Sequence, residues 1–201
     1  MMVKEFELDP LADVWIILDA EKAVQYAAAQ TEPENYAKDF WQHQTKIALP
    51  PSTEEYGVSI AASLARDYLQ RSRAVGLVTA GQHLTLISPD RGGRQLGKIL
   101  EALAVLKADG TIPLHGLVET QVKHMVRGST VILITPSVDK STAILADYLL
   151  QRGLKPIMVL LDTISFGGWP GTDELLVSVK MLGVPVRKVS YSTDFDKVLS
   201  N

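Results

Sequence analysis

Apolar residues along this chain fall into short solid blocks separated by stretches with helical spacing. The first block is Val14-Trp15-Ile16-Ile17-Leu18, closed by Asp19. An unbroken apolar run of that length is what a strand buried on both faces requires, so it reads as the first strand of a parallel sheet, with Asp19 at its carboxyl end. Further blocks at 74–80, 130–135, 156–161 and 185–189 read as strands in the same way. The short run 84–87 follows a turn at Gly81-Gln82 and reads as an antiparallel hairpin partner of 74–80. Between the strands, apolar residues recur at three- and four-residue spacing. Val58, Ala61, Ala62, Ala65, Tyr68 and Leu69 mark a helix that Ser52-Thr53-Glu54-Glu55 would cap. Leu96, Ile99, Leu100, Leu103, Ala104 and Leu106 mark a second, stopped near Asp109-Gly110. Helices are also predicted over about 116–126, over 141–151 with Gly153 as its stop, and over 173–182. The stretches 89–93 and 165–168 read as loops, and 194–199 as a closing helical turn.

This alternation predicts an α/β fold: a doubly wound, mainly parallel six-stranded sheet with one antiparallel edge strand and helices on both faces. No second domain is evident, so 1–201 reads as one domain. Its least regular part is 25–53, with Ala27-Ala28-Ala29, a polar stretch, Trp41, His43 and Pro50-Pro51. That is long for a strand-to-helix connection. Because it leaves from beside Asp19, it reads either as a lid or docking element or as a solvated insertion.

Composition narrows the classes of function. The 201 residues are 46% hydrophobic and 21% charged, a globular balance, and the formal net charge of -3 leaves no electrostatic footprint for nucleic acid. The absence of cysteine excludes disulfides, thiolate catalysis and thiolate zinc sites. No apolar run approaches the ~20 residues of a membrane helix. The first residues carry charge where a signal peptide would be apolar. Val3 to Leu8 alternates as a strand would, as if cut from something longer.

Ligands of open α/β sheets bind outside the carboxyl ends of strands. Asp19, Thr135-Pro136-Ser137 and Asp162 stand at such ends, and with Thr111 they could share a crevice. There the acids and hydroxyls would offer the hard oxygen ligands that magnesium prefers, or would merely cap turns. Arg91-Gly92-Gly93-Arg94 opens a helix and reads either as a phosphate grip or as solvated arginines. Neither a G-x-G-x-x-G after the first strand nor a G-x-x-x-x-G-K-[ST] is present. There is no G-x-S-x-G nucleophile elbow, and no two histidines have zinc-ligand spacing. Trp15 reads as core. Trp41 and Trp169 read as loop contacts or packing anchors.

One ordered series of segments is more specific than any of these motifs. It runs through Val3-Lys4-Glu5-Phe6-Glu7, Asp13 to Asp19, Ala61 to Ala65, Ala74 to Val78, Arg91-Gly92-Gly93-Arg94-Gln95-Leu96 and Ile99 to Ala104. It ends with Arg127-Gly128-Ser129, Ile134-Thr135-Pro136-Ser137 and Gly183-Val184-Pro185-Val186. In this order the chain resembles the C-terminal, von Willebrand factor A-like part of the bacterial domain-of-unknown-function family fifty-eight. The resemblance implies a parent protein anchored in the bacterial inner membrane by upstream helices, with this part as its cytoplasmic domain. It also implies a MoxR-type AAA+ ATPase as partner, in assembly or chaperone-like work rather than catalysis.

Von Willebrand A domains usually hold a metal through Asp-x-Ser-x-Ser after the first strand, a later Thr and a later Asp. Matched residue by residue, Asp19 keeps the first position and Thr111 the Thr. Glu21 and Ala23 replace the two serines, and Pro136 falls where the last Asp belongs. The resemblance therefore implies a degenerate site without a resident cofactor; any magnesium would have to use Asp19, Glu21 and Thr111. The reading that follows is a non-enzymatic interaction domain whose partner-binding rim is Asp19, Glu21, Thr111, Ser137 and Trp41, with Arg91 and Arg94 as a possible anion site. The alternative is a magnesium-dependent or phosphate-binding enzyme built around Asp19, Glu21 and Asp162.

Overall fold

The computed structural model describes residues 12–28 and 50–191. Six strands form one sheet in the order β3-β2-β1-β4-β5-β6: β1 (Val14–Leu18), β2 (Val75–Ala80), β3 (Leu84–Asp90), β4 (Thr130–Thr135), β5 (Lys155–Leu161) and β6 (Val186–Val189). All neighbours are parallel except β2 and β3. Among the described residues, five α-helices cover the sheet: α1 (Thr53–Gln70), α2 (Gly93–Ala104), α3 (Leu114–Gln121), α4 (Ser141–Gln151) and α5 (Thr172–Met181). This is the doubly wound, mainly parallel arrangement that the apolar blocks require.

The pleat explains why the strand blocks are unbroken. Trp15 and Ile17 of β1 point to one face with Val131, Leu133, Met158 and Leu160, where Leu117, Val118, Leu145, Leu149, Leu175 and Val179 of α3, α4 and α5 cover them. Val14, Ile16 and Leu18 point to the other, with Leu77, Ile132 and Ile134, beneath Tyr56, Ile60 and Ala65 of α1 and Ile99 and Leu103 of α2. Ile16 and Ile17 are both completely buried, one in each layer. Each such side chain contributes about 1.5–3 kcal/mol by leaving water.

Several boundaries differ from the sequence reading. The antiparallel strand runs on to Asp90, through Pro89. An edge strand tolerates the missing N–H of proline, and the register shifts beside it, between Val75 and Leu77. The third helix begins at Leu114, directly after Pro113, and ends at Gln121, continuing as a short 3-10 helix Val122–His124. Residues Thr163–Phe166 are also a 3-10 helix rather than loop. Ser52 occupies the N-cap of α1 but makes no side-chain cap. Thr53 does the joining instead: its hydroxyl accepts the Tyr26 N–H at 2.9 Å and lies 2.7 Å from Gln25 Oε1. Two backbone bonds beside it, Ala28 N–H to Pro51 and Thr53 N–H to Tyr26, pinch the two ends of the 25–53 connection together. Trp41 and His43, the Val3–Leu8 alternation and the 194–199 turn lie outside the described residues.

Candidate functional site

The strand order reverses between β1 and β4, which places a crevice above their carboxyl ends. The structure has a cleft of about 230 Å³ there, lined by Asp19, Glu21, Val24, Pro113, Leu114, His115, Ser137, Asp139, Ser141, Thr142 and Leu145. Its walls are the loop after β1, the loop after β4 and the first turns of α3 and α4.

Asp19 forms the floor and is only 3% exposed. Its main chain continues the sheet, donating from N–H to the Ile134 carbonyl at 2.9 Å. Its carboxylate accepts the Thr135 hydroxyl on Oδ2 at 2.6 Å and the Glu21 N–H on Oδ1 at 3.1 Å. Thr135, itself wholly buried, accepts the Ser137 N–H at 2.9 Å, so one hydroxyl orients both the acid and the turn after β4. Burial pushes the Asp19 carboxyl up to about 6; the bonds from Thr135 and Glu21 hold it down, and the nearby Glu21 charge adds slightly to the rise.

The Glu21 position is set by chain pairing. Glu21 forms an isolated parallel bridge with Gly110, in which Lys22 N–H reaches the Gly110 carbonyl at 2.9 Å and Gly110 N–H reaches the Ala20 carbonyl at 3.0 Å. A Cβ at Gly110 would strike the Ala80 carbonyl oxygen, so only glycine lets this loop close against the ends of β1 and β2. Thr111, next in the chain, is exposed and lies outside the cleft lining, where Pro113, Leu114 and His115 stand instead.

Across the cleft, Asp139 accepts the Ser141 N–H on Oδ1 at 2.7 Å, and its own N–H donates to Ser137 Oγ at 3.3 Å. Bonds from Ser141, backbone first, hold the Asp139 carboxyl below its usual value, with a smaller contribution from His115. Neither Asp139 nor His115 was singled out as a site residue from the sequence. The signal for Asp139 was present: an aspartate just before a helix is a capping residue. His115 carried no comparable signal, because its place depends on α3 starting at the cleft.

The structure does not bring the other predicted groups to this site. Asp162 lies beyond β4, at the end of β5, where its carboxylate accepts the Ser190 hydroxyl at 3.0 Å and lies 3.6 Å from Lys188 Nζ. The expected shared crevice of Asp19 with Asp162 is therefore corrected. Arg91 and Arg94 are exposed at the opposite end of the sheet, because antiparallel β3 ends where β2 begins, with Asp90 opposite Val75.

The donor set can be compared with what magnesium needs. Among the described residues, no three acidic or imidazole groups stand close enough to share an ion. Ala23 has no donor, Pro136 has no side-chain oxygen, and the Thr135 hydroxyl is already committed to Asp19. Asp19 and Glu21 are the acids left at the matched positions, so water would have to fill most of the octahedral shell of any magnesium ion held there.

No family model and no curated protein matches the sequence. Solved structures do match. The conserved hypothetical protein BatB from Bacteroides thetaiotaomicron superposes with a TM-score of 0.62 at 11% identity, over 94% of this chain and 95% of that one. Proximal thread matrix protein 1 from the mussel byssus gives 0.54 at 14% identity, over 92% of this chain and 46% of that one. The pilus adhesin SpaC from Lactobacillus rhamnosus GG gives 0.52 at 9% identity, over 91% and 29%. The chain thus spans under half of the mussel protein and under a third of the adhesin, but nearly all of BatB. At these identities the likeness concerns architecture, and the architecture is a von Willebrand A-like α/β fold.

Proposed function

We propose that this chain is a non-enzymatic protein-interaction domain that engages its partner at the β1–β4 cleft without a bound metal ion. The observation that carries this reading is the cleft itself: a buried acid at the switch point of the sheet, surrounded by donors that do not converge on an ion. The size of the cleft points the same way. Small-molecule pockets run to about 300–1,000 Å³, whereas this one, at about 230 Å³, suits one or two inserted side chains. Two structural neighbours, a pilus adhesin and a thread matrix protein, share this architecture.

While the likeness to BatB bears on the fold alone, the ordered sequence resemblance suggests a finer version. In it the chain is the cytoplasmic domain of a bacterial inner-membrane protein, working with a MoxR-type AAA+ ATPase in assembly. None of the described helices is long and apolar enough to cross a membrane, so an anchor would lie elsewhere in the parent. Affinity capture of a MoxR-type ATPase by the parent protein, wild type and Glu21→Ala, tests this. Glu21 shapes the rim mainly through its backbone, so the variant is expected to keep the wild-type melting temperature and to retain several-fold less ATPase. Equal capture by both forms would remove the cleft as the binding surface.

A further inference from the structure

The charged groups that line the cleft are mostly acidic. Three carboxylates line it, Asp19, Glu21 and Asp139, against one imidazole, His115. The first turns of α3 and α4 also face it, and each helix start carries roughly half a positive charge. Part of the α4 contribution is already taken up, because Asp139 accepts the Ser141 N–H through its carboxylate and the Thr142 N–H through its carbonyl. Two half charges and a protonated His115 would still fall short of three carboxylates. Among the described residues, no lysine or arginine lines the cleft.

The buried floor makes the same demand independently. A carboxylate has about four acceptor positions. Asp19 receives one donor on each oxygen, from Thr135 and from Glu21, and both donors are neutral. A buried carboxylate satisfied only by neutral donors is costly when ionised, and either a proton or an approaching cation relieves that cost. The cleft is the open side of this group, and the acids are too dispersed to trap a bare ion between them. A cation on a flexible stem, carrying several N–H donors, can instead address separated carboxylates in turn.

We infer that the β1–β4 cleft receives an arginine or lysine side chain from the partner protein, its cationic head directed to Asp19 and the rim acids Glu21 and Asp139. This rests on the interaction reading above and gives it a chemistry: recognition of a basic residue. Val24, Pro113 and Leu145 supply apolar wall against which the methylene stem can lie.

Random peptides displayed on phage test the inference. They are selected on the wild-type chain near about pH 7.5 and counter-selected on Asp19→Asn and Glu21→Gln, each first checked for cooperative melting. If Asp19→Asn does not fold, Glu21→Gln alone serves, since its side chain lies on the rim. Survivors are expected to share an arginine or lysine. In synthetic versions, replacing that residue by alanine, or arginine by citrulline, should weaken calorimetric binding by about tenfold or more, equally with and without magnesium. Survivors that depend on an acidic residue, on magnesium or on an apolar residue alone would overturn the basic-residue inference while leaving the interaction reading in place. If no peptide distinguishes the wild type from the cleft variants, both are overturned.

Discussion

Asp19 is the residue whose environment is most unusual, and its energetics can be read by pH. Its carboxyl is raised in the folded chain to about 6 from an ordinary 3.8, chiefly by burial. The folded state therefore holds the Asp19 proton more tightly than the unfolded state does. The associated stability is fully present below about pH 4 and is lost as pH rises through about 6, on the order of 3 kcal/mol in all. Asp19→Asn should remove this slope. Urea unfolding of wild type and variant is expected to shift in the variant's favour between about pH 4 and pH 7; parallel curves would show that Asp19 carries no such shift. Thr135→Val deletes a hydrogen bond to a charged group and leaves the Ser137 N–H without its acceptor. A loss of about 1.5–3 kcal/mol is expected near neutral pH. The loss should be smaller near pH 4, where Asp19 is protonated. Asp19 was legible from the sequence because an acid ending an apolar strand is an anomaly in itself. The role of Thr135 was not, since it depends on which strand lies beside β1.

At the scale of elements, the loops above the sheet are fixed by few contacts, and Gly110 is the most exacting. It pairs with Glu21 while passing so close to β2 that an added Cβ would strike the Ala80 carbonyl oxygen. Gly110→Ala must push the loop outward, with an overpacking cost of about 1–3 kcal/mol. The urea midpoint should fall by that amount while far-UV dichroism stays unchanged, and the Glu21 amide resonance should move. An unshifted Glu21 amide would mean that this loop does not set the rim. Strands with both faces buried, such as β1 and β4, were legible because their unbroken apolar runs have only one way to be covered. The errors fell where tertiary context decides. Pro89 argued for a loop, but an unpaired edge accepts it. Ser52 looked like a cap, but the chain beside it used Thr53 to fasten the two ends of the 25–53 connection. The convergence of Asp19 with Asp162 failed for a similar reason: both end parallel strands, but β4 lies between those strands.

For the molecule as a whole, the question is whether folding has left it with a preformed cation cage, and global stability answers it. Both core layers close on β1, so any ligand anchored at Asp19 is linked to unfolding of the whole sheet. Ile16→Ala, which opens the layer under α1, should cost about 2–5 kcal/mol and provides an internal scale for the measurement. A ligand present at 100 times its dissociation constant would raise stability by about 2.7 kcal/mol, an effect of comparable size. The dispersed acids and the commitment of Thr135 to Asp19 lead to the expectation that millimolar magnesium or manganese leaves the melting temperature unchanged, above the small general effect of ionic strength. Potassium chloride at matched ionic strength is the control. A saturable rise with magnesium, lost in Asp19→Asn, would put the metal-dependent alternative ahead of the metal-free reading. A rise that survives in that variant would place the ion elsewhere and leave the cleft reading intact.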